Sequence, residues 1–254
     1  MNMPKNVEYE HKGALFEINI PFEWDEYDDY LEINGIKFLK TDNLIGFFEI
    51  FSRLDYSFGG LDDCIFLDVG ANIGDSALFA AQQENISHIY AYEPFQQAYQ
   101  TAIKNIDLNP ELKNKITIYP YGWYNVDCDI KTDEINDINA SAVNTILSDY
   151  AIITDTEKTH KTTVKLKKSS DLLQEIITKH QNQPIILKMD IEGAEYDCIT
   201  ELHKTGLLEN IDLIFIEWHK KGSKPITDIL EKYGFIWFDE RLTAMTGFIR
   251  AIKK

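Results

Sequence analysis

The apolar positions of this chain follow two spacings, which alternate along most of its length. Short runs of apolar residues predict buried strands, and the segments between them carry apolar residues at helical spacing. Because alternating strands and helices form a parallel sheet covered on both faces, the pattern predicts an α/β fold with a doubly wound, mostly parallel sheet. The predicted elements are strand Cys64–Val69, helix Asp75–Glu84, strand Ile89–Tyr92, helix Phe95–Asp107, strand Lys115–Tyr119, helix Asp171–His180, strand Pro184–Met189, helix Glu195–Lys204, strand Ile211–Trp218, helix Lys224–Tyr233, strand Phe235–Asp239 and strand Thr246–Ile252.

Residues 1–60 precede this alternation and have their own pattern. Ala14–Ile20 alternates like a strand, and Leu31–Phe38 predicts a hairpin around an Asn34-Gly35 turn. A helix is predicted over Asn43–Leu54. We therefore expect an N-terminal cap, a hairpin plus a helix, followed by a main domain over residues 61–254.

The cap helix has two interpretations. Its apolar residues recur at helical spacing, which favours packing on the core; they are Leu44, Phe47, Phe48, Phe51 and Leu54. The alternative is that the cap, with Trp24, Tyr27 and Tyr30, partly covers a ligand site, since ligands in open α/β sheets lie beyond the carboxyl ends of the strands.

An insertion is predicted around residues 125–168. Val126–Lys131 and Thr162–Lys167 are polar, strand-like pieces on either side of an Asn-, Ser-, Thr- and Asp-rich stretch at 132–149. This pattern indicates an inserted hairpin or flexible loop. Ser169 or Ser170 is expected to cap the helix that follows.

A strand, a tight turn and a helix follow each other in Ile65–Ser76, and this turn is the first candidate binding site. Gly70 and Gly74 permit positive φ angles and close backbone approach, and the amide groups that open a helix are electropositive. A dinucleotide-binding turn has a third glycine between them, where this chain has Asn72. The acid Asp68 before the first glycine suits the cationic amino acid end of S-adenosylmethionine. A purely structural turn is the remaining alternative.

A second candidate residue lies at the end of the next predicted strand. Glu93 follows Gly74 by 19 positions and precedes Pro94. A carboxylate at about this spacing in a βαβ unit contacts the ribose hydroxyls of an adenosine ligand. An ordinary exposed acid is the alternative.

Taken together, the motifs resemble the FkbM-type S-adenosylmethionine-dependent methyltransferases. The matching segments are Phe66–Asp75, Tyr92–Pro94 with Asn105 and Asn109 behind it, Leu187–Glu195 and Ile216–His219. They cover about residues 62–252 and leave residues 1–60 outside. The resemblance implies a class I methyltransferase, Rossmann-like fold and, in most of the family, methylation of a hydroxyl on a sugar, glycan or secondary metabolite.

The expected cofactor is S-adenosyl-L-methionine. Its predicted contacts lie in the glycine turn, at the end of the next strand and after the third strand, where this fold usually contacts adenine. Tyr121 or Trp123 is the candidate for stacking on the adenine, although a structural role for these aromatic residues is equally compatible. The predicted cofactor-binding residues are Asp68, Gly70, Ala71, Asn72, Gly74, Asp75, Ser76, Glu93, Pro94, Tyr121, Gly122 and Asp190.

Two further strands end in polar residues that form the candidate catalytic set. His219 is the expected general base, with Asp190 and Glu192 beside it, because methyl transfer to a hydroxyl needs a group that takes its proton. A structural histidine is the alternative. Asp190, Glu192 and Glu195 can orient the acceptor, bind the donor's ammonium group or hold a divalent cation. No ligand spacing demands a metal, so no metal site is predicted.

Composition and charge limit the classes of partner that the protein is expected to bind. The formal net charge is −17 over 254 residues, which argues against nucleic acid and anionic membranes as partners, because both are bound by clustered Lys and Arg. Cys64, Cys128 and Cys198 lack disulfide or zinc spacing. With no signal peptide core and no long apolar run, a soluble, cytoplasmic protein is expected.

Two other functions stay open at this point. A nicotinamide-dependent oxidoreductase uses a similar turn, although the absent middle glycine weakens this interpretation. A non-catalytic scaffold that kept the cofactor turn would bind the cofactor without transferring a methyl group. The leading hypothesis is an O-methyltransferase that acts on a small-molecule or glycan acceptor; no oligomeric state is predicted.

Overall fold

In the computed structural model, the described residues are 5–11, 14–20, 24–41, 45–135, 144–147 and 159–254. The strands are β1 (Lys5–His11), β2 (Ala14–Ile20), β3 (Trp24–Glu26), β4 (Tyr30–Ile33), β5 (Ile36–Leu39), β6 (Cys64–Val69), β7 (Ile86–Tyr92), β8 (Ile116–Tyr119), β9 (Gly122–Tyr124), β10 (Cys128–Ile135), β11 (Thr159–Lys168), β12 (Ile185–Met189), β13 (Leu213–His219), β14 (Phe235–Arg241) and β15 (Thr246–Lys253). The α-helices are α1 (Ile45–Phe47), α2 (Asp75–Gln82), α3 (Gln96–Asp107), α4 (Pro110–Lys113), α5 (Ser169–Lys179), α6 (Glu195–Thr205) and α7 (Lys224–Leu230). A π-helical turn, Phe48–Ser52, continues α1.

A seven-stranded sheet forms the centre of the fold, in the order β14-β15-β13-β12-β6-β7-β8. β15 runs antiparallel to both of its neighbours, and the remaining pairs are parallel. The predicted class I methyltransferase fold, with its antiparallel strand near the C-terminus, is confirmed. The strand order reverses between β6 and β12, and this is the point where such sheets bind ligands beyond their carboxyl ends.

Both faces of the sheet are covered by apolar side chains, as a parallel sheet requires. One apolar cluster contains Phe66 and Phe215 together with residues of the N-terminal segment, and the other contains Leu67, Ile216 and Trp218. The predicted alternation along β13 is therefore confirmed. Glu217 and His219 follow Phe215 on its side of the strand and reach the carboxyl edge.

The N-terminal hairpin is attached to the main domain by two asparagines of the motif. Asn34 and Gly35 have φ angles of 49° and 80°, so the predicted tight turn between β4 and β5 is confirmed. The Asn105 side chain accepts a hydrogen bond from Leu39 N at 2.7 Å. Asn109 accepts one from Lys37 N at 2.9 Å and donates one to Lys37 O at 2.7 Å. These bonds complete one side of β5 and fix the cap to α3.

The predicted cap helix differs from the observed one. Its described part begins at Ile45, continues as a π-helical turn and ends before Leu54, which has a φ of 54° and is 47% exposed. Phe47 and Phe51 pack in the apolar core as predicted, whereas Leu44 lies outside the described residues. Tyr27 and Tyr30 stack on each other with ring centroids 4.4 Å apart.

The insertion contains a hairpin, as predicted, in its described part. β10 and β11 pair antiparallel, and β11 also pairs with β9 in a small separate sheet. Most of the polar stretch at 132–149 lies outside the described residues. The predicted cap at Ser169 or Ser170 is wrong, because both residues lie inside α5 and Ser170 Oγ donates to Glu201 instead. Within the described ranges, no helix is long and apolar enough to cross a membrane.

Candidate functional site

The turn after β6 brings the ends of two neighbouring strands together. Gly70, Asn72 and Gly74 have φ angles of 89°, 45° and 82°, so the turn uses the left-handed region that glycine adopts without strain. A Cβ on Gly70 would lie 1.8 Å from the carbonyl oxygen of Asp190. Only glycine therefore fits at position 70, where the end of β6 passes the end of β12.

Glu93 lies beside this turn and is almost completely buried. Its Oε2 accepts a hydrogen bond from Asn72 N at 2.9 Å, and its Oε1 accepts one from Phe95 N at 2.8 Å. Burial raises the pKa of Glu93 to about 7, against the two amide hydrogen bonds, which favour the ionised form. Each oxygen keeps a further lone pair for a ligand.

A cavity opens between these strand ends. Seven of its lining residues are predicted site residues, namely Gly70, Asn72, Glu93, Pro94, Gly122, Asp190 and Glu192. The others are Phe95, Trp123, Asn144, Ile146, Leu166, Ile191 and Ala194. The lining thus combines three acids with apolar walls and includes no lysine or arginine among the described residues.

Six predicted cofactor-binding residues do not line this cavity. Asp68 is fully buried, where it accepts a hydrogen bond from Ser76 Oγ at 2.7 Å and pairs with Lys188 at 3.1 Å. Gly74 faces α3, since a Cβ there would lie 3.2 Å from Ala102 Cβ. Ala71 and Asp75 are buried in the turn and the first turn of α2. Tyr121 lies under Lys167, with Nζ 4.4 Å from the ring centroid.

Several cavity residues escaped the sequence reasoning. Asn144, Ile146 and Leu166 belong to the insertion, whose polar sequence gave no sign that it reaches the cavity. Thr145, between two of them, donates a hydrogen bond to the carbonyl oxygen of Glu192 at 2.7 Å. Trp123 was considered as an adenine contact or a structural residue; it is 1% exposed, and its Nε1 has no hydrogen-bond partner among the described residues.

His219 lies behind the cavity, surrounded by carboxylates. Its Nδ1 is 2.9 Å from Glu195 Oε1, and its Nε2 is 3.4 Å from Glu192 Oε2 and 3.8 Å from Glu217 Oε1. Glu195 also accepts hydrogen bonds from Ile191 N and Gly193 N, so the start of α6 fixes this carboxylate and, through it, the imidazole. Glu195 and Glu217 were not among the predicted catalytic residues.

These contacts change the charge state expected of His219. Burial lowers its pKa, but the hydrogen bond with Glu195 and the charges of Glu192, Glu195 and Asp190 raise it to about 10. Burial raises the pKa of Glu192 to about 8, opposed by His219, and raises that of Glu217 well above its usual range. His219, the expected general base, is therefore paired with carboxylates that favour its protonated form.

The segment before β6 also reaches this acidic edge. Glu49, in the π-helical turn, has its pKa raised to about 7 by burial and by the charge of Asp190. The cap thus contributes a carboxylate to the site, whereas the sequence suggested its aromatic residues. Among the described residues, Asp190, Glu192 and His219 each place one possible ligand atom within 4.8 Å of the other two.

Comparisons with known proteins give one family and several similar folds. The model of the methyltransferase FkbM domain family matches residues 68–237. No curated protein matches the chain.

Three of the similar solved structures are distant in sequence, with identities between 11% and 15%. A methyltransferase FkbM from Methylobacillus flagellatus KT has 15% identity and a TM-score of 0.48, over 76% of this chain and 45% of its own. A human methyltransferase 10 domain containing protein has 12% identity and a TM-score of 0.47, over 86% of this chain and 88% of its own. A precorrin-6y C5,15-methyltransferase from Geobacter metallireducens GS-15 has 11% identity and a TM-score of 0.44, over 85% and 94%. At these identities the likeness concerns the fold alone, and the chain spans less than half of the first structure's length.

Proposed function

The chain belongs to the methyltransferase FkbM domain family, and from this premise we propose that it transfers a methyl group from S-adenosylmethionine to a hydroxyl of a sugar, glycan or secondary metabolite. The observation that carries the proposal is the position of Glu93. This buried carboxylate lies in a cavity at the topological switch point, next to the acidic edge that holds Asp190, Glu192 and His219.

The cavity residues fit S-adenosylmethionine better than a dinucleotide. Glu93 has lone pairs for two ribose hydroxyls, and Phe95, Trp123 and Leu166 provide apolar walls for an adenine. Gly122 lets Leu166 pack closely at the wall, because a Cβ there would lie 2.9 Å from Leu166 Cδ2. The described lining offers no cation to a pyrophosphate, whereas Asp190 and Glu192 suit the positive charges of the methionine end. No observation favours the oxidoreductase alternative.

Two predicted binding residues have a supporting role in this proposal. Asp68 and Ser76 hold the turn from below through Lys188, whose Nζ also donates to the carbonyl oxygen of Gly70 at 2.6 Å. The turn presents Asn72 and the backbone of Gly70 to the cavity. We propose that Asp68 and Ser76 position these binding residues without contacting the donor.

When bound, S-adenosylmethionine supplies a sulfonium methyl group that an acceptor oxygen displaces in line, so positioning accounts for much of the rate. Asp190 and Glu192 line the cavity and accept hydrogen bonds from the acceptor hydroxyl. Glu192 receives its proton, and the protonated His219, whose Nε2 is 3.4 Å from Glu192 Oε2, balances the charge of that carboxylate. Ile146 of the insertion lines the same cavity.

The acceptor's charge follows from the same residues. With a net charge of −17 and three acids in the cavity lining, the protein favours a neutral or cationic acceptor over a polyanion. Sugars, glycans and neutral secondary metabolites meet this condition, and a nucleic acid does not.

A screen with labelled methyl donor tests the proposal directly. We expect label in a hydroxyl-bearing acceptor from a panel of free sugars, neutral glycans and polyketide alcohols, and calorimetric binding of S-adenosylhomocysteine but not of NAD. Transfer to nitrogen or carbon alone would contradict O-methylation. Binding of S-adenosylhomocysteine without transfer to any acceptor would favour the non-catalytic alternative.

A further inference from the structure

The edge cluster, defined here as Asp190, Glu192, Glu217 and His219, has the side-chain types of a metal site. Asp190, Glu192 and His219 bring their ligand atoms within 4.8 Å of one another. Metal bonds to carboxylate oxygen and imidazole nitrogen are about 2.0–2.2 Å long. Side-chain rotations that move each ligand atom by about an ångström are therefore enough to enclose an ion.

The imidazole of His219 is oriented as a metal ligand would be. It is 6% exposed and uses Nδ1 for the Glu195 carboxylate. Its Nε2 faces Glu192 and Glu217 at 3.4 and 3.8 Å and has no hydrogen bond among the described residues. In metalloproteins a ligating histidine almost always donates its other N–H to a carboxylate or carbonyl, which fixes the ring and raises the basicity of the ligating nitrogen.

The carboxylates around His219 outnumber the cations near them in the described part of the chain: the charge of Lys188 acts on Asp190, but Lys188 pairs with Asp68 and not with Glu192, Glu195 or Glu217. Glu195 is completely buried, and its Oε2 has no hydrogen-bond partner among the described residues. In the part of the chain that the structure describes, His219 is the sole ion-pair partner of Glu192, Glu195 and Glu217. Buried carboxylates in this excess are costly unless a cation joins them.

We propose that a divalent cation binds between Asp190, Glu192 and His219, with Glu195 orienting the imidazole from behind. An imidazole combined with carboxylates favours Mn²⁺, Fe²⁺ or Zn²⁺ over Ca²⁺. The sequence predicted no metal because the ligands come from two strand ends and have no local spacing. With a cation bound, Glu192 and His219 Nε2 would be its ligands, and the cation itself would favour ionisation of an acceptor hydroxyl; this role rests on the proposed function, whereas cation binding does not.

Mn²⁺ added to the metal-free full-length chain, without donor or acceptor, is the probe. Electron paramagnetic resonance counts free and bound Mn²⁺, and electron spin echo modulation detects a nitrogen ligand. We expect one saturable site with nitrogen modulation, which His219→Gln removes. Asp190→Asn and Glu192→Gln should each weaken binding by about tenfold or more, and Glu195→Gln by about 10- to 100-fold.

The matched control is Asp63→Asn. Asp62, Asp63 and Glu84 line a separate acidic depression without a histidine. Asp63→Asn removes one negative charge, as Asp190→Asn does, and should bind Mn²⁺ like the wild type. Melting curves select folded variants. Binding that does not saturate at one ion per chain, or that Asp190→Asn weakens no more than Asp63→Asn does, overturns the proposal.

Calorimetry with S-adenosylhomocysteine on the same metal-free preparation separates this proposal from the proposed function. If S-adenosylhomocysteine binds and Mn²⁺ does not, the cation site is wrong and the donor site stands. If Mn²⁺ binds at His219 and S-adenosylhomocysteine does not, the cation site stands and the proposed donor is wrong.

Discussion

Two buried charge clusters lie at the same edge of the sheet, and they differ in their balance of charge. In the first, Asp68 and Lys188 pair at 3.1 Å, and both are also hydrogen-bonded, to Ser76 and to the carbonyl oxygen of Gly70. In the second, His219 is the one ion-pair partner, among the described residues, of three carboxylates. The residues of the first cluster do not line the cavity. In the second cluster Glu192 lines it, and so does the neighbouring Asp190.

The difference separates structural from functional charge. A balanced, hydrogen-bonded pair stabilises the turn that it holds, and breaking it leaves one buried charge alone. An excess of buried carboxylates costs stability, and such clusters occur where a ligand or a reaction uses them. Burial alone does not distinguish the two clusters, since Asp68, Lys188 and Glu195 are all almost inaccessible.

The largest expected effect concerns the unbalanced cluster. His219→Ala should lower turnover by about 10²- to 10⁴-fold, because the variant lacks the imidazole that works with Glu192 on the acceptor proton. Affinity for S-adenosylhomocysteine should stay near that of the wild type, because His219 does not line the cavity.

His203→Ala is the matched control for that experiment. His203 is hydrogen-bonded to the Tyr233 hydroxyl at 2.8 Å, away from the cavity, so its removal should leave turnover unchanged. Turnover of His219→Ala within about threefold of the wild type would place the proton on another group.

The balanced cluster should respond in stability. Lys188→Met leaves Asp68 buried without its cation, so the free energy of unfolding in urea should fall by about 3–5 kcal/mol. In the control, Lys224→Met, an exposed pair with Asp228 is lost, which should cost about 0–1 kcal/mol. Equal losses in the two variants would mean that the Asp68–Lys188 pair does not stabilise the fold.

A smaller effect is expected where the turn packs on α3. Gly74→Ala places a Cβ 3.2 Å from Ala102 Cβ at a positive φ, so it should cost about 1–3 kcal/mol of unfolding free energy. Gly234 also has a positive φ, of 79°, but no atom of the described residues would lie within 4 Å of a Cβ there. Gly234→Ala therefore isolates the cost of the backbone angle. Donor affinity should fall with Gly74→Ala, because the turn carries Gly70 and Asn72 to the cavity. Equal stability of the two variants would show that the Ala102 contact is relieved.

The smallest effect is a pH dependence of donor binding. Because the pKa of Glu93 is raised to about 7, ionisation of this carboxylate as the pH rises from about 6 to 8 should strengthen S-adenosylhomocysteine binding by up to about tenfold. Glu93→Gln should abolish that dependence. Wild-type affinity that is flat or falls over this range would contradict the assignment.

Local patterns predicted the sheet well, and seven of the predicted site residues line the cavity. β6, with bounds Cys64–Val69, matches the prediction, and Glu93 reaches the cavity because a βαβ unit fixes its own geometry within about 30 residues. The charge state of His219, at the end of β13, depends on Glu195 at the start of α6 and on Asp190 and Glu192 after β12. No spacing along the chain reports that kind of contact.

Contacts between residues far apart in the sequence, which local patterns do not report, also form the cavity wall and hold the turn. Leu166 reaches the cavity from the insertion through long-range pairing of β11 with β9, and Ile146 packs on the apolar cluster that contains Leu166. Asp68 was assigned to the cofactor because of its position before Gly70. Its partner, Lys188, lies 120 residues further along the chain, on the neighbouring strand β12.

Calorimetric titration of S-adenosylhomocysteine into Glu93→Gln tests the donor site most directly. The matched control is Glu134→Gln, since Glu134 is equally buried and also accepts a backbone hydrogen bond, from Gln97 N at 3.1 Å, but does not line the cavity. We predict that Glu93→Gln weakens binding by about 10- to 100-fold, because hydrogen bonds to two hydroxyls are lost, while Glu134→Gln binds like the wild type. Wild-type affinity in a folded Glu93→Gln variant, or no binding to the wild type itself, would contradict the account.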